Sequence, residues 1–255
     1  MSVIPSRLTK ATALVGLLFI AGCQSQTGAQ SPEELKKLEE FSIGFRVALV
    51  SNARVASSEF LDGGVKLRVK INRRNEVVFC ETEPYSQTAS PAPTDPRLPA
   101  LVKDVCWSTL FPVVPSELYD SDGMADIIAP LVFSSEQDTE ELKLKRMGRV
   151  IRYAQSRFFW EQTLRKQPAS SIGYADFRYV ANTQGEVQGC LVNLRASRQR
   201  PEAFKLDGDL QARLSAQCKQ MNLRQLPGFT VNPQGMAEGI VRVEYMPWKG
   251  GPQPL

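Results

Sequence analysis

Histidine is absent from this 255-residue chain. That excludes His-based nucleophile triads and imidazole general bases, and it removes the commonest protein metal ligand. Ser-x-x-Lys, Gly-x-Ser-x-Gly, the P-loop and Gly-x-Gly-x-x-Gly are missing as well, and with them the usual signatures of acyl transfer and nucleotide binding. Strong charge of either sign is lacking too: the net charge is +4, and Arg7 and Lys10 near the N-terminus supply two of those positive charges. No basic stripe is interleaved with aromatics, so nucleic acid is not an expected partner. The acidic pairs Asp120 with Asp122 and Asp207 with Asp209 lie in loops beside Gly or Ser; they read as solvated turn residues before a carboxylate dyad or a cation site. Arg195, Arg198 and Arg200 form a small basic loop, again read as solvated before it is read as an anion site. The expectation is a protein that is not an enzyme and that takes no cofactor or metal.

Hydrophobic residues make up 42% of the chain and charged residues 23%, ordinary for a globular protein, and the length allows one large or two small domains. The N-terminus is a separate matter. Arg7 and Lys10 precede an apolar run, Ala11 to Ala21, that is too short to span a bilayer comfortably. It ends in Ile20-Ala21-Gly22-Cys23, which resembles the bacterial lipobox, a small-residue cleavage site before a cysteine that becomes lipid-modified. The resemblance implies that residues 1–22 are a signal peptide and that Cys23 carries three acyl chains, enough for stable anchoring where one chain is not. Gln24 follows the cysteine. In that family an Asp there tends to hold the protein in the inner membrane, so Gln24 favours the periplasmic face of the outer membrane, with the inner membrane as the alternative.

The rest of the chain contains a degenerate duplication. Cys106 is followed nine positions on by Pro115 and eighteen on by Met124, and Cys218 is followed at the same intervals by Pro227 and Met236. On the N-terminal side, Asn75-Glu76-Val77 leads to Cys80 as Gly185-Glu186-Val187 leads to Cys190. Matching spacing as well as residue type marks a repeated module. With Cys23 set aside, four cysteines allow three pairings, and the repeat selects Cys80–Cys106 and Cys190–Cys218. An exported, oxidising compartment suits such bonds. Each would close a loop of about 27 to 29 residues, worth roughly 3–4 kcal/mol by the loop-entropy estimate.

The expected order is α+β: two small modules, each an antiparallel sheet with a helix packed on one face, joined by a helical linker. Residues 23–40 form a tether and a short helix. Ser31-Pro32-Glu33-Glu34 supplies a capping box, and the helix is expected to end near Phe41. Module 1 spans 41–134, the linker 135–167, module 2 168–248, and 249–255 a flexible Pro/Gly tail. Phe45 to Val50 fits a strand or a buried helical turn. Val65, Leu67, Val69 and Ile71 alternate with Lys66, Arg68 and Lys70 as a half-buried strand. Asn75 and Gly185 fit positive-φ turn positions. Helical stripes lead through Leu98, Leu101, Val102 and Val105 to Cys106, and through Leu206, Leu210 and Leu214 to Cys218. Met147, Val150, Ile151, Ala154 and Phe158 give the linker helix an apolar side for packing on a module. Pro130 lacks an N–H, so the strand around it should lie at an edge or be bulged. The last strand alternates, with Val241, Val243 and Tyr245 on one face and Arg242 and Glu244 on the other.

Gly185, Val187, Cys190, Val192, Leu206-Asp207, Cys218, Pro227, Gly235 and Val241-Arg242-Val243 together resemble the C-terminal domain of TonB-family energy transducers, in a cysteine-bearing variant. The resemblance covers about 80 residues. Arg195-Ala196-Ser197 stands where that family has Ser-Ser-Gly, and Gln225-Leu226-Pro227-Gly228 where it has Arg-Phe-Pro-Ala. The uncleaved membrane helix and long Pro-rich spacer of a transducer have no counterpart here. The resemblance therefore implies a fold and a binding mode, in which an extended peptide adds as a strand to an exposed sheet edge. Ile240, Arg242 and Glu244 are the side chains expected to flank that edge. The expected function is a lipid-anchored periplasmic protein that engages envelope proteins or extended peptides. A structural accessory lipoprotein of an envelope complex is the alternative, and a component of energy transduction for outer-membrane transport ranks below both.

Overall fold

A computed structural model describes residues 31–85, 94–134 and 139–251. The leader, the lipobox and Cys23 lie outside the described residues.

Among the described residues the order helix–strand–strand–helix–strand occurs twice. The first has α1 (Pro32–Ala56), β1 (Gly63–Asn72), β2 (Val77–Pro84), α2 (Leu98–Trp107) and β3 (Met124–Phe133). The second has α3 (Glu140–Gln162), β4 (Gly173–Ala181), β5 (Val187–Ala196), α4 (Gly208–Lys219) and β6 (Ala237–Tyr245). Each sheet is antiparallel and three-stranded, with orders β2-β1-β3 and β5-β4-β6. The closing strand of each copy therefore pairs with the first strand and leaves its other side at an edge. Pro130 lies on such an edge strand, β3, as its missing N–H requires.

The local reasons are those the sequence offers. Ser31 and Glu34 close a capping box at the start of α1, Thr139 caps α3, and Asp207 accepts from the Leu210 N–H at the start of α4. Asn75 (φ 57°) and Gly185 (φ 82°) occupy left-handed positions in equivalent hairpins. At Gly185 a Cβ would also fall 2.4 Å from the Arg224 backbone nitrogen. The sulfur–sulfur bonds join Cys80 to Cys106 and Cys190 to Cys218, with Cα separations of 6.3 and 6.0 Å. Either bond ties a strand to the helix lying over it.

Several expectations change. α1 does not end near Phe41. It continues to Ala56, and Phe41, Phe45, Leu49 and Ala53 form its buried stripe; the apolar run from Phe45 to Val50 is helix, not strand. Leu206 precedes α4 and is exposed, so it adds nothing to the stripe of Leu210, Leu214 and Cys218. α3, in the segment expected to join the modules, packs on the second sheet: Phe159 lies 5.0 Å from Phe177 and 5.8 Å from Tyr179, ring centre to ring centre. It holds the place in module 2 that α1 holds in module 1.

The start of the C-terminal segment is not free. Met246 and Trp248 are buried in the core of module 1 together with Ile172, and the Gly250 N–H donates to the Trp107 carbonyl. A Cβ on Gly250 would strike the Trp160 ring at 2.6 Å. Residues 252–255 lie outside the described residues.

A second tie between the modules is Arg146 of α3. Its guanidinium donates to the carbonyls of Arg54, Ser57, Ser58 and Glu59 at 2.7 to 3.2 Å and lies 3.9 Å over the Phe60 ring. Arg54 lies in the last turn of α1 and Ser57 caps it, where helix carbonyls lack intrahelical donors and the helix dipole favours a cation; Ser58 and Glu59 follow in the chain as it leaves the helix. Arg146→Ala is expected to cost about 1–3 kcal/mol, since hydrogen bonds to a charged group are the stronger kind. Arg146→Lys, a point charge without the planar fork, recovers only part of it. Chemical denaturation of the variants measures this; an unchanged midpoint for Arg146→Ala would refute the capping role.

Candidate functional site

The second sheet has one face buried and one open. Ala175, Phe177 and Tyr179 of β4, Val192 and Leu194 of β5, and Val241, Val243 and Tyr245 of β6 share a core with Phe159 of α3 and Leu210, Leu214 and Cys218 of α4. Both helices thus lie on the same face. The opposite face carries Tyr174, Asp176, Arg178 and Val180 from β4, with neighbours from β5 and β6 set by the register. One row across it reads Asn193, Asp176, Arg242, and the next reads Leu191, Arg178, Ile240. Leu191 is 54% exposed and Ile240 59%, high values for large apolar side chains.

Which backbone groups of β6 face outward follows from the pairing. The Asn182 N–H donates to the Glu186 carbonyl in the β4–β5 hairpin. In an antiparallel pair the residues of a strand alternate between its two neighbours, so Gly173, Ala175, Phe177, Tyr179 and Ala181 bond toward β6. Their partners are Tyr245, Val243, Val241, Gly239 and Ala237. The backbone groups of Glu238, Ile240, Arg242 and Glu244 are left pointing away from the sheet. Lys249 agrees with this assignment: its ammonium donates to the Glu244 carbonyl at 2.5 Å.

The same reasoning in module 1 starts from the Asn72 N–H, which donates to the Glu76 carbonyl. It leaves Asp126, Ile128, Pro130 and Val132 facing outward on β3. Pro130 occupies the place that Arg242 occupies on β6, and it has no N–H to offer. The other two edges are interrupted as well. β2 and β5 each carry a register shift at their hairpin end, the local bend that blunts an edge. At the start of β5, Gly185 and Glu186 also bond to Leu223 and bridge to Asn222. β6 pairs through its nine residues without a shift and without proline.

Of the three side chains expected to flank this edge, Ile240 is exposed and Arg242 is half-exposed in an ion pair with Asp176 at 2.8 Å. Glu244 departs from the expectation. It is largely enclosed beside Lys249 and Tyr174, and burial pushes its carboxyl above the ordinary range, opposed by the Lys249 charge. It closes one end of the edge instead of presenting a free side chain.

Lys249 itself is partly buried. Its ammonium lies 5.8 Å from the centre of the Trp160 ring. Burial lowers it to about 8, opposed by the Glu244 charge and reinforced by the Arg157 charge; Asp104, paired with Arg157 at 2.7 Å, acts to raise it. Sequence reasoning missed Lys249 because a Pro/Gly-rich ending gives no periodic signal. Arg178 and Leu191 could have been found: aligning the copies on their cysteines places them where Arg68 and Glu81 stand in module 1.

The other residues singled out in the sequence do not converge on a shared point. Asp120 accepts from the backbone of Asp122 and Met124 within its turn. Arg195 pairs with Asp176 and the buried Arg200 with Glu202, so the basic loop does not converge on one point. A crevice beside Arg146 and Phe60 holds about 20 Å³, too little for a small-molecule ligand. Among the described residues no group of three or more acidic or cysteine side chains is placed to hold a metal, and no helix is long and apolar enough to cross a membrane. No protein-family model, curated protein or solved structure matches the chain.

The Lys249 environment gives a test. Its folded pKa lies below the ordinary lysine value of 10.5, so between about pH 8 and 10.5 the unfolded chain binds more protons and stability rises with pH. The expected gain is on the order of 2 kcal/mol, each tenfold change in proton affinity being worth about 1.4 kcal/mol. Thermal denaturation across this range should show the rise in the native protein and lose it in Lys249→Met. Tyrosines whose hydroxyls burial raises, Tyr174 and Tyr245 among them, act the other way as pH nears 10, so a native profile that runs parallel to that of Lys249→Met would contradict the buried ammonium.

Proposed function

We propose that this chain is a lipid-anchored binding protein of the bacterial envelope, and that an extended segment of a partner protein adds as a fourth strand beside β6. The observation that carries this reading is the contrast among four edge strands. β3 has Pro130, β2 and β5 have register shifts, and β6 has neither. Proteins ordinarily blunt exposed edges to prevent pairing with other chains, so the one left uninterrupted, with Ile240 exposed on it, is where pairing is to be sought. Main-chain hydrogen bonds then give affinity and alternate side chains give selectivity.

The resemblance to TonB C-terminal domains supports the same reading from the sequence side, since those domains grip extended segments of outer-membrane transporters. Lipid attachment at Cys23 would hold the modules at the membrane surface on a short polar tether, Gln24 to Gln30. One observation favours the structural-accessory alternative: the Arg146 cap and the docked Met246 to Gly251 segment join the modules into one body, as suits a scaffold. Under that reading β6 would be covered by a neighbouring component instead of receiving a peptide.

The decisive variant copies nature's own difference. Arg242→Pro removes only an outward N–H from the backbone and reproduces Pro130, so the sheet should stay intact. With a photo-crosslinker at Ile240 in the full chain in native envelopes, crosslinks to a partner segment are expected. Arg242→Pro should abolish them and Arg242→Ala, which keeps the N–H, should not. Crosslinks that persist in Arg242→Pro argue against strand addition. Mass spectrometry of the mature chain is expected to find an acylated Cys23 at the N-terminus; an unmodified Cys23 removes the anchor from the proposal.

A further inference from the structure

α1 has an apolar line besides its buried stripe. Lys36, Ile43, Val47 and Arg54 recur at intervals of seven, four and seven, spacings that return to one side of a helix. That side lies opposite Phe41, Phe45 and Leu49, which are buried in the core of module 1. Ile43 and Val47 are each 57% exposed. The chain after α2 extends the patch. Phe111 stacks on Phe45 at 4.5 Å, a Cβ on Gly44 would come 3.0 Å from the Pro112 ring, and Val113, the next residue, is 55% exposed.

Charge divides along the same helix. Its acids, Glu33, Glu34, Glu39 and Glu40, all precede Phe41. Lys37 pairs with Glu33 and Lys36 with Glu40, Glu34 closes the capping box, and the exposed Glu39 is in no ion pair among the described residues. Glu117 lies near Lys37 at this acidic end. From Phe41 to Ser58 the chain has no acid. Arg46 and Arg54 are exposed there and in no ion pair among the described residues. The apolar line therefore belongs to the basic half of α1.

Resting on the reading that Cys23 is acylated, we infer that the Ile43–Val47 face of α1 rests on the bilayer that holds the anchor. Only seven residues, Gln24 to Gln30, separate Cys23 from the first described residue. Fully extended they reach about 25 Å, less than the length of α1 itself, about 38 Å for its 25 residues. α1 is thus the first element to meet the surface. Aliphatic side chains at the acyl boundary with arginines at phosphate depth are the arrangement an interfacial helix uses. Ile43, Val47 and Val113 supply the first, Arg46 and Arg54 the second, and the acidic start of α1 stays in water on the slack of the tether. A second copy suits the line less well, since antiparallel pairing of Ile43 with Val47 would set Lys36 against Arg54.

The test uses the full chain purified from membranes, with an environment-sensitive fluorophore on Val47→Cys or, as a control, on Thr183→Cys in the β4–β5 turn. Vesicles are mixed phosphatidylethanolamine and phosphatidylglycerol, and flotation reports anchoring separately. The label at residue 47 is expected to shift to an apolar environment with vesicles, and the label at 183 to stay in water. Ile43→Asp with Val113→Asp should reduce the shifted fraction about tenfold relative to the unshifted one, with an unchanged denaturation midpoint because both side chains already face solvent. Chain that floats while the residue 47 label stays in water would overturn the docking and leave the anchor standing. A shift at 183 equal to that at 47 would overturn the choice of face. A shift at 47 that grows with protein concentration in the absence of vesicles would assign the face to a second copy and overturn the bilayer. An unacylated chain whose residue 47 label still shifts on vesicles would remove the anchor and support the docking.

Discussion

Each three-stranded sheet here buries only one of its faces, and the rest of this structure follows from that constraint. Neither sheet has enough surface to form a core alone. Two helices must lie on the buried face, one before the first strand and one before the last. α2 and α4 are bonded to their sheets through Cys106 and Cys218. α1 and α3 are held by apolar contact through stripes that include Leu49 and Phe159. With both helices committed to one face, the other face and the outer side of the closing strand are left for partners or solvent. The disulfides fit the same logic, since small cores gain most from a constraint on the unfolded chain.

Much of this was legible in the sequence because the repeated spacing supplies an internal comparison. Cysteine pairing, both hairpins, the positive-φ turn residues and the alternation of β1 and β6 all followed from spacing. The extent of α1 was not legible. Its first turns are charged and its later turns apolar, so a local reading divides it at Phe41, whereas the structure shows one buried stripe continuing through Phe45 to Ala53. The correspondence of α1 with α3 was hidden for a related reason: the two share buried positions but little residue identity. The docking of Met246 to Gly251 was invisible, because glycine and proline signal mobility in isolation and say nothing about the tryptophan surfaces that receive them. The candidate edge was anticipated at Ile240 and Arg242, while the enclosure of Glu244 depended on Lys249, a contact that no periodicity encodes.

The two modules differ where the difference has consequences. Pro130 and Arg242 stand at equivalent points of the closing strands, and the first removes an outward donor that the second retains. Glu81 and Leu191 differ in the same sense, one closing a charge network and the other leaving an apolar side chain in water. Module 1 is the copy with the interrupted closing strand. It also receives Ile172, Met246 and Trp248 into its core, and Arg146 caps its first helix from module 2. The uninterrupted edge belongs to module 2.

The proposed strand addition depends on β6 being a true edge whose outward backbone groups are free. Residue-resolved amide hydrogen exchange along this strand tests that claim most directly. The account predicts alternation in the free protein: fast exchange at Glu238, Ile240 and Arg242, and slow exchange at Gly239, Val241 and Val243, which bond to β4. Uniform protection from Glu238 to Val243 would mean that the outer side is already paired or covered, and would contradict it.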